Sequence, residues 1–271
     1  MSAPTIDREL EAKHRAVWTL GDYGTVADDL VLPLGPELVA AAGIRPGERV
    51  LDVAAGTGNA AFAAAALGAR VIASDLCPKL LDQGRAAAAE QGVDVEFAEA
   101  NAEALPFGDG EFDAVISCIG VMFAPHHQQA ADELIRVCRP GGTVSVLSWT
   151  PQGFIGQMFA TLKPYLPAPP PGVQPAPLWG DADHVRALFG DRAEITSRRG
   201  TLAVDSFATG AAFRDYFKAN YGPMVSAYQS IDNEKATALD ADLAALGDAA
   251  LAGSSAMDWE YLIVTARRHS A

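Results

Sequence analysis

The residues able to do chemistry in this sequence fall at a few short stations, and the first is V-L-D-V-A-A-G-T-G, from Val50 to Gly58. Val50, Leu51 and Val53 predict a short buried strand with one acid, Asp52, near its end. Gly56 and Gly58 let the backbone turn tightly and approach a ligand more closely than any side chain would allow. From Ala60 the run A-A-F-A-A-A-A-L is a strong helix former. Strand, glycine turn and helix N-terminus together make a cradle for a nucleotide-type cofactor. Gly56 to Ala61 also satisfies G-x-G-x-x-A, the dinucleotide fingerprint, in which an acid about 20 residues further on binds a ribose. Asp75 stands close to that spacing, so the glycines alone leave an NAD-dependent oxidoreductase open.

Further candidates follow at regular intervals, and the elements between them explain why. A-R-V-I-A-S-D predicts a second strand ending on Asp75, and Cys77-Pro78 opens a helix closed by Gly92. V-D-V-E-F-A-E-A alternates like a third strand and ends at Asn101. F-D-A-V-I-S-C-I-G, apolar almost throughout, is a fourth strand, followed by a helix from Gln128 to Val137 and a P-G-G turn at Pro140 to Gly142. T-V-S-V-L-S-W is a fifth. Strands alternating with helices predict a parallel, doubly wound α/β sheet, whose ligands sit beyond the carboxyl ends of the strands. Ala54 to Gly58, Asp75, Asn101 and Cys118 to Phe123 all fall on that edge.

Helices are expected before the sheet at Ile6 to Leu20 and Pro36 to Ala42. Beyond Trp149, Pro164 to Pro177 holds seven prolines and reads as a cover. A short helix at Ala182 to Phe189 precedes A-E-I-T-S-R-R-G-T-L-A-V, a sixth strand that could start a hairpin. Thr209 to Asn220 and Asn233 to Gly247 read as helices, and W-E-Y-L-I-V-T-A-R-R as the last strand. The expected organisation is one domain: lid helices over 1–45, a cofactor-binding core over 46–150, a substrate-covering insertion over 151–255, and a final strand over 256–268.

Composition limits the partners. Net charge is −14 and the pI near 4.7, the opposite of a nucleic-acid binder's electrostatic footprint. The uncharged stretch Thr143 to Leu162 is interrupted by Pro151, Gly153 and Gly156, so no membrane span is expected. Cys77, Cys118 and Cys138 lack metal or disulfide spacing, and the N-terminus is polar, which together predict a cytoplasmic protein. A homodimer stays open.

Asp52 inside the first strand, N-A-E-A-L-P-F-G-D-G-E-F-D-A-V-I-S after the second, and H-H-Q-Q-A-A-D-E-L-I-R-V-C-R-P-G-G-T-V after that resemble the successive motifs of class I S-adenosylmethionine-dependent methyltransferases. The small-molecule branch related to ubiquinone and menaquinone C-methyltransferases is the nearest likeness, strongest from Val50 to Trp149. The resemblance implies a Rossmann-like, mostly parallel seven-stranded sheet with an N-terminal helical lid and a helical insertion before the last strand. It implies S-adenosyl-L-methionine as cofactor, with Ala54, Ala55, Gly56, Thr57 and Gly58 wrapping its methionine end and Asp52 close by. Asp75 would accept from the ribose hydroxyls, Leu76 would cover an adenine face, and Asn101 and Ala102 would meet the adenine edge. Cys118 and Ile119 would border the methyl group. Trp18, Asp22 and Tyr23 belong to the segment that would fold over the cofactor, with Tyr23 reaching its carboxylate or amine. Ala54 stands where the family has glycine, tolerable at negative φ, and Asn101 where it usually has aspartate.

Methyl transfer from a sulfonium needs alignment more than acid or base, and positioning alone can lower a barrier by roughly 7–11 kcal/mol. His126 and His127 are the candidate bases; as plain helix-starting residues they would face solvent. Phe207, Phe213, Tyr216, Phe217 and Tyr221, with the proline-rich cover, are the candidate wall of an acceptor pocket for a small, partly apolar molecule.

Overall fold

Val50, Leu51, Asp52 and Val53 are all buried, so both faces of their strand are covered, and this strand is the centre from which the sheet is built. The computed structural model describes residues 7–270. In it β1 (Arg49–Val53) pairs in parallel with β2 (Arg70–Asp75) on one side and β4 (Phe112–Cys118) on the other. β3 (Glu96–Glu99) adds to β2, and β5 (Cys138–Trp149) to β4, again in parallel. β6 (Ala193–Val204) and β7 (Met257–Arg268) are antiparallel partners, and β7 also runs antiparallel to β5. The order is β3-β2-β1-β4-β5-β7-β6, the doubly wound, mostly parallel seven-stranded sheet expected. Strand order reverses between β1 and β4, which opens a crevice at their carboxyl ends.

Helices α3 (Leu34–Ala42), α4 (Asn59–Ala66), α5 (Pro78–Gln91) and α6 (His127–Val137) pack on the parallel strands. Ahead of them, α1 (Arg8–Thr19) and the short α2 (Tyr23–Val26), continued by a π-helical turn over Ala27–Val31, lie across the crevice. Ile6, expected to begin the first helix, lies outside the described residues; Asp7 caps α1 by accepting from the amides of Glu9 and Leu10. Between β5 and β6 come α7 (Phe154–Leu162) and α8 (Ala182–Phe189); between β6 and β7 come α9 (Gly210–Asn220), α10 (Gly222–Ser230) and α11 (Asn233–Ala250).

Several local expectations change. The P-G-G turn lies inside β5, which begins at Cys138 and reaches register with β4 through an irregularity opposite Phe112 and Ala114. The sixth strand pairs with the last, but three helices separate them, so they form no tight hairpin. Helices α7 and α10 were not anticipated, because glycines and prolines sit at or inside their first turns. Among the described residues no helix is long and apolar enough to cross a membrane.

Candidate active site

The turn after β1 is tighter than its two glycines alone require. Gly56 and Gly58 have φ of 59° and 98°, and Ala54 also lies in the left-handed region at 53°. The negative φ that would have made alanine an easy substitute there is not adopted. Opposite it, at the end of β4, Ile119 has φ of 66°, an uncommon state for a β-branched residue that costs about 1–3 kcal/mol. The strain has a neighbour in Gly120, where an added Cβ would fall 2.0 Å from the Ala54 carbonyl oxygen. Ser117 fixes this junction, donating to the Val53 carbonyl at 2.6 Å and accepting from the Val121 amide at 2.9 Å.

Carboxylates surround the turn. Asp75 Oδ2 accepts from the Gly56 amide and Oδ1 from the Cys77 amide, both at 2.8 Å. Burial nevertheless raises its pKa, the three backbone donors opposing that only in part. Asp52 is buried with no hydrogen bond to either oxygen. Burial pushes its pKa up to about 8; the nearby Ala61 amide opposes this and the charge of Asp75 adds to it. Burial also raises the Cys118 thiol, with Asp52 contributing, so Cys118 stays protonated.

A cleft of about 820 Å³ of empty space, partly open to solvent, lies over these groups. Of the expected cofactor residues, Tyr23, Ala54, Gly56, Asp75, Leu76, Asn101 and Ala102 line it. Asp52, Ala55, Thr57, Gly58, Cys118 and Ile119 do not: Ala55 and Gly58 hold the turn by backbone hydrogen bonds, Gly58 also starts α4, and Ile119 faces a second cavity. Leu10, Glu11, His14 and Trp18, on one face of α1 at helical spacing, roof the cleft. Lys79 ties that roof down by donating to the Thr19 and Gly21 carbonyls at 2.9 and 3.1 Å.

The two histidines separate. His126 lines the cleft, held by Glu103, whose carboxylate accepts from the His126 amide at 2.6 Å and sits 3.1 Å from Nδ1. His127, the other candidate base, is fully buried on α6, its Nδ1 3.0 Å from His184 Nε2, and it is not in the cleft. Burial, with lesser contributions from His184 and His126, lowers its pKa to about 4. It is neither a substrate-facing base nor a solvent-facing helix start, because Trp179 and His184 close over it.

A second cavity, about 350 Å³ of empty space, adjoins the first and shares Tyr23 and Phe123 with it. Trp149, Phe217, Tyr221 and Trp259 form its aromatic wall, and no Asp, Glu, His, Lys or Arg lines it. Of the expected aromatic wall, Phe217 and Tyr221 are therefore in place. Phe207 and Phe213 are packed into the core instead, and Tyr216 donates to Asp29 at 2.9 Å. The proline-rich segment lines neither cavity; Gln174 fastens it to Pro125 and His127 on the outside of α6. Sequence reasoning missed Glu11, His14 and Glu103 as cleft residues, while Gly120 and Phe123 belong to the stretch it had placed on the ligand edge. Glu103 lay inside a quoted motif, and the i, i+3, i+7 spacing of Glu11, His14 and Trp18 was the available signal for the others on α1.

Known proteins resemble this chain at two levels. A family model described as a methyltransferase domain matches residues 50–142. An uncharacterized protein of Mycobacterium tuberculosis is 53% identical over 265 residues, 97% of this chain and 96% of the relative. A demethylmenaquinone methyltransferase of Clavibacter sepedonicus is 44% identical over 105 residues, 38% of this chain and 42% of its own. Among solved structures, the YcgJ protein of a Bacillus species superposes with a TM-score of 0.60 at 16% identity, covering 88% of this chain and 99% of that one. A geranyl diphosphate methyltransferase in complex with SAM gives 0.52 at 16% identity, over 88% and 85%.

Proposed function

Because the chain belongs to the class I S-adenosylmethionine-dependent methyltransferases, we propose that it transfers a methyl group from S-adenosyl-L-methionine to a small, uncharged, partly apolar acceptor. One observation carries the reading: an acidic cleft without a cationic side chain opens onto an aromatic cavity without any charge. Asp7, Glu11, Asp75 and Glu103 line the cleft, and among the described residues no Lys or Arg does. A cleft of one sign concentrates ligands of the other. A sulfonium cofactor with an ammonium group suits it; the pyrophosphate of a dinucleotide does not. The antiparallel β7 between β5 and β6 is a second departure from the dinucleotide fold, whose usual order is 3-2-1-4-5-6.

The cofactor supplies an electrophilic methyl group on sulfur. This chain's residues would hold and orient it. The turn at Ala54 to Gly58 leaves no Cβ over Gly56, where one would stand 3.4 Å from the Tyr23 ring. Asp75, with lone pairs left after its two amide bonds, is a charge-assisted acceptor for ribose hydroxyls. Asp52, buried beneath the turn with its pKa raised to about 8, would ionise more readily with a cationic ligand above it. On the acceptor side Tyr23, Phe123 and the wall around Trp259 exclude water and align the nucleophile. With no side-chain base lining that cavity, the acceptor brings a nucleophile that is already competent.

Calorimetry of the whole chain with S-adenosylhomocysteine and with NAD tests the cofactor. Binding of the first alone is expected, and binding of NAD alone overturns the reading. Label from methyl-labelled cofactor should then appear in a neutral, organic-extractable product of a metabolite extract; label confined to charged products would overturn the acceptor class.

A further inference from the structure

Adenine carries a donor, its exocyclic amine, so a protein that reads this edge must offer an acceptor with a lone pair to spare. The end of β3 offers Asn101, a neutral acceptor that is already engaged on both sides. Its Oδ1 accepts from the Glu103 amide at 2.9 Å, and its Nδ2 donates to Glu11 Oε2 at 2.8 Å. The other cleft acids are turned toward other partners. Asp7 caps α1, and Glu103 uses both oxygens on His126. Asp75 stands one strand away, on the amides of Gly56 and Cys77. Glu11 is the carboxylate joined to Asn101: it lines the cleft beside it, and among the described residues its other oxygen faces only Arg15, at 3.7 Å.

We propose that Glu11, carried on the roof helix, is the acceptor for the exocyclic amine of the cofactor's adenine, with Asn101 as its positioning residue. This rests on the S-adenosylmethionine reading and adds a residue to it. The base is then read only when α1 is closed, because the reading group travels with the helix. Arg15, which pairs with Glu11 and with Glu99 at the end of β3, couples that position to the sheet edge.

The test measures affinity rather than turnover. The whole chain is titrated with S-adenosylhomocysteine and with S-inosylhomocysteine, in which an oxo group replaces the amine. The wild type should prefer the adenosyl ligand by about tenfold or more, the scale of a hydrogen bond to a charged group. E11Q, which can donate to the oxo group, should bring the two affinities within about threefold of each other. N101D sets a second carboxylate against Glu11 and should weaken S-adenosylhomocysteine about tenfold, and N101D/E11Q should recover most of that loss. Equal loss of both ligands in E11Q would mean that Glu11 only packs the roof, and no loss of either would give it no role; both overturn the proposal. A wild type that binds both ligands equally overturns it alone, whereas one that binds neither overturns the cofactor reading as well.

Discussion

The cleft and the aromatic cavity share Tyr23 and Phe123 yet are built on opposite physical plans. At the cleft, the backbone strain of Ala54 and the burial of Asp75 are concentrated at the ends of neighbouring strands, with Asp52 buried beneath. The cavity carries no charged residue on its wall, where rings from β5, β7, α2 and α9 meet aliphatic side chains and the strained Ile119. The lesson is that recognition of a charged cofactor demands costly groups that a rigid sheet must hold. Recognition of a neutral acceptor needs only shape, which helices can supply.

If that contrast is right, the cleft is intolerant of a single carbon. Gly120→Ala should lose about 4–5 kcal/mol, the range of clashes that neither partner can relieve, because the added Cβ meets a backbone carbonyl. Urea unfolding measures it, and a loss below about 1 kcal/mol would mean the junction is looser than drawn.

Asp52 sharpens the comparison through pH. Its carboxyl ionises near 4 when unfolded, in the range of about 3.9, and at about 8 when folded. Between those values the folded chain holds a proton that the unfolded chain has lost. The contribution is therefore complete below the unfolded pKa, falls as pH rises, and is gone above about 8. Asp52→Asn should open a stability advantage over wild type by about 1.4 kcal/mol per unit between pH 5 and 7, while weakening S-adenosylhomocysteine. A gap independent of pH would mean that Asp52 has a partner in the folded state.

Tyr23 belongs to both regions, and its hydroxyl decides to which it contributes. Burial raises its pKa, so it remains a donor. Tyr23→Phe should weaken S-adenosylhomocysteine about tenfold if that donor holds the methionine end. Unchanged affinity would leave the ring, packed edge-on to Trp18, as a wall and nothing more.

The same contrast explains what could be read in advance. The stations after β1, β2, β3 and β4 were legible because each follows a short strand marked by an apolar run or by alternation, both local signals. The aromatic cavity was legible only at Phe217 and Tyr221, since Trp149 and Trp259 sit far apart in the chain and are brought together only when β7 inserts beside β5. His126 and His127 show the limit within one dipeptide. Adjacent residues at a helix start point in different directions, and sequence gave no means of telling which one Trp179 and His184 would bury. Ala54 marks the opposite error, a residue whose type argued for ordinary backbone and whose surroundings enforce the left-handed state.

That error makes the smallest test the most discriminating for the cleft. Ala54 at φ of 53° carries a Cβ in a region that costs an L-residue roughly 1–2 kcal/mol, and glycine is free there. Glycine also loses more entropy on folding, by up to about 1 kcal/mol. Ala54→Gly should therefore stabilise the chain by at most about 1 kcal/mol, readable as a rise in Tm of a few degrees. The carbonyl of residue 54 must stay where Gly120 meets it, so cofactor affinity should hold. If stability rises while affinity falls, the strain at Ala54 serves binding, and the methyl side chain is part of the cradle rather than a tolerated substitute for glycine.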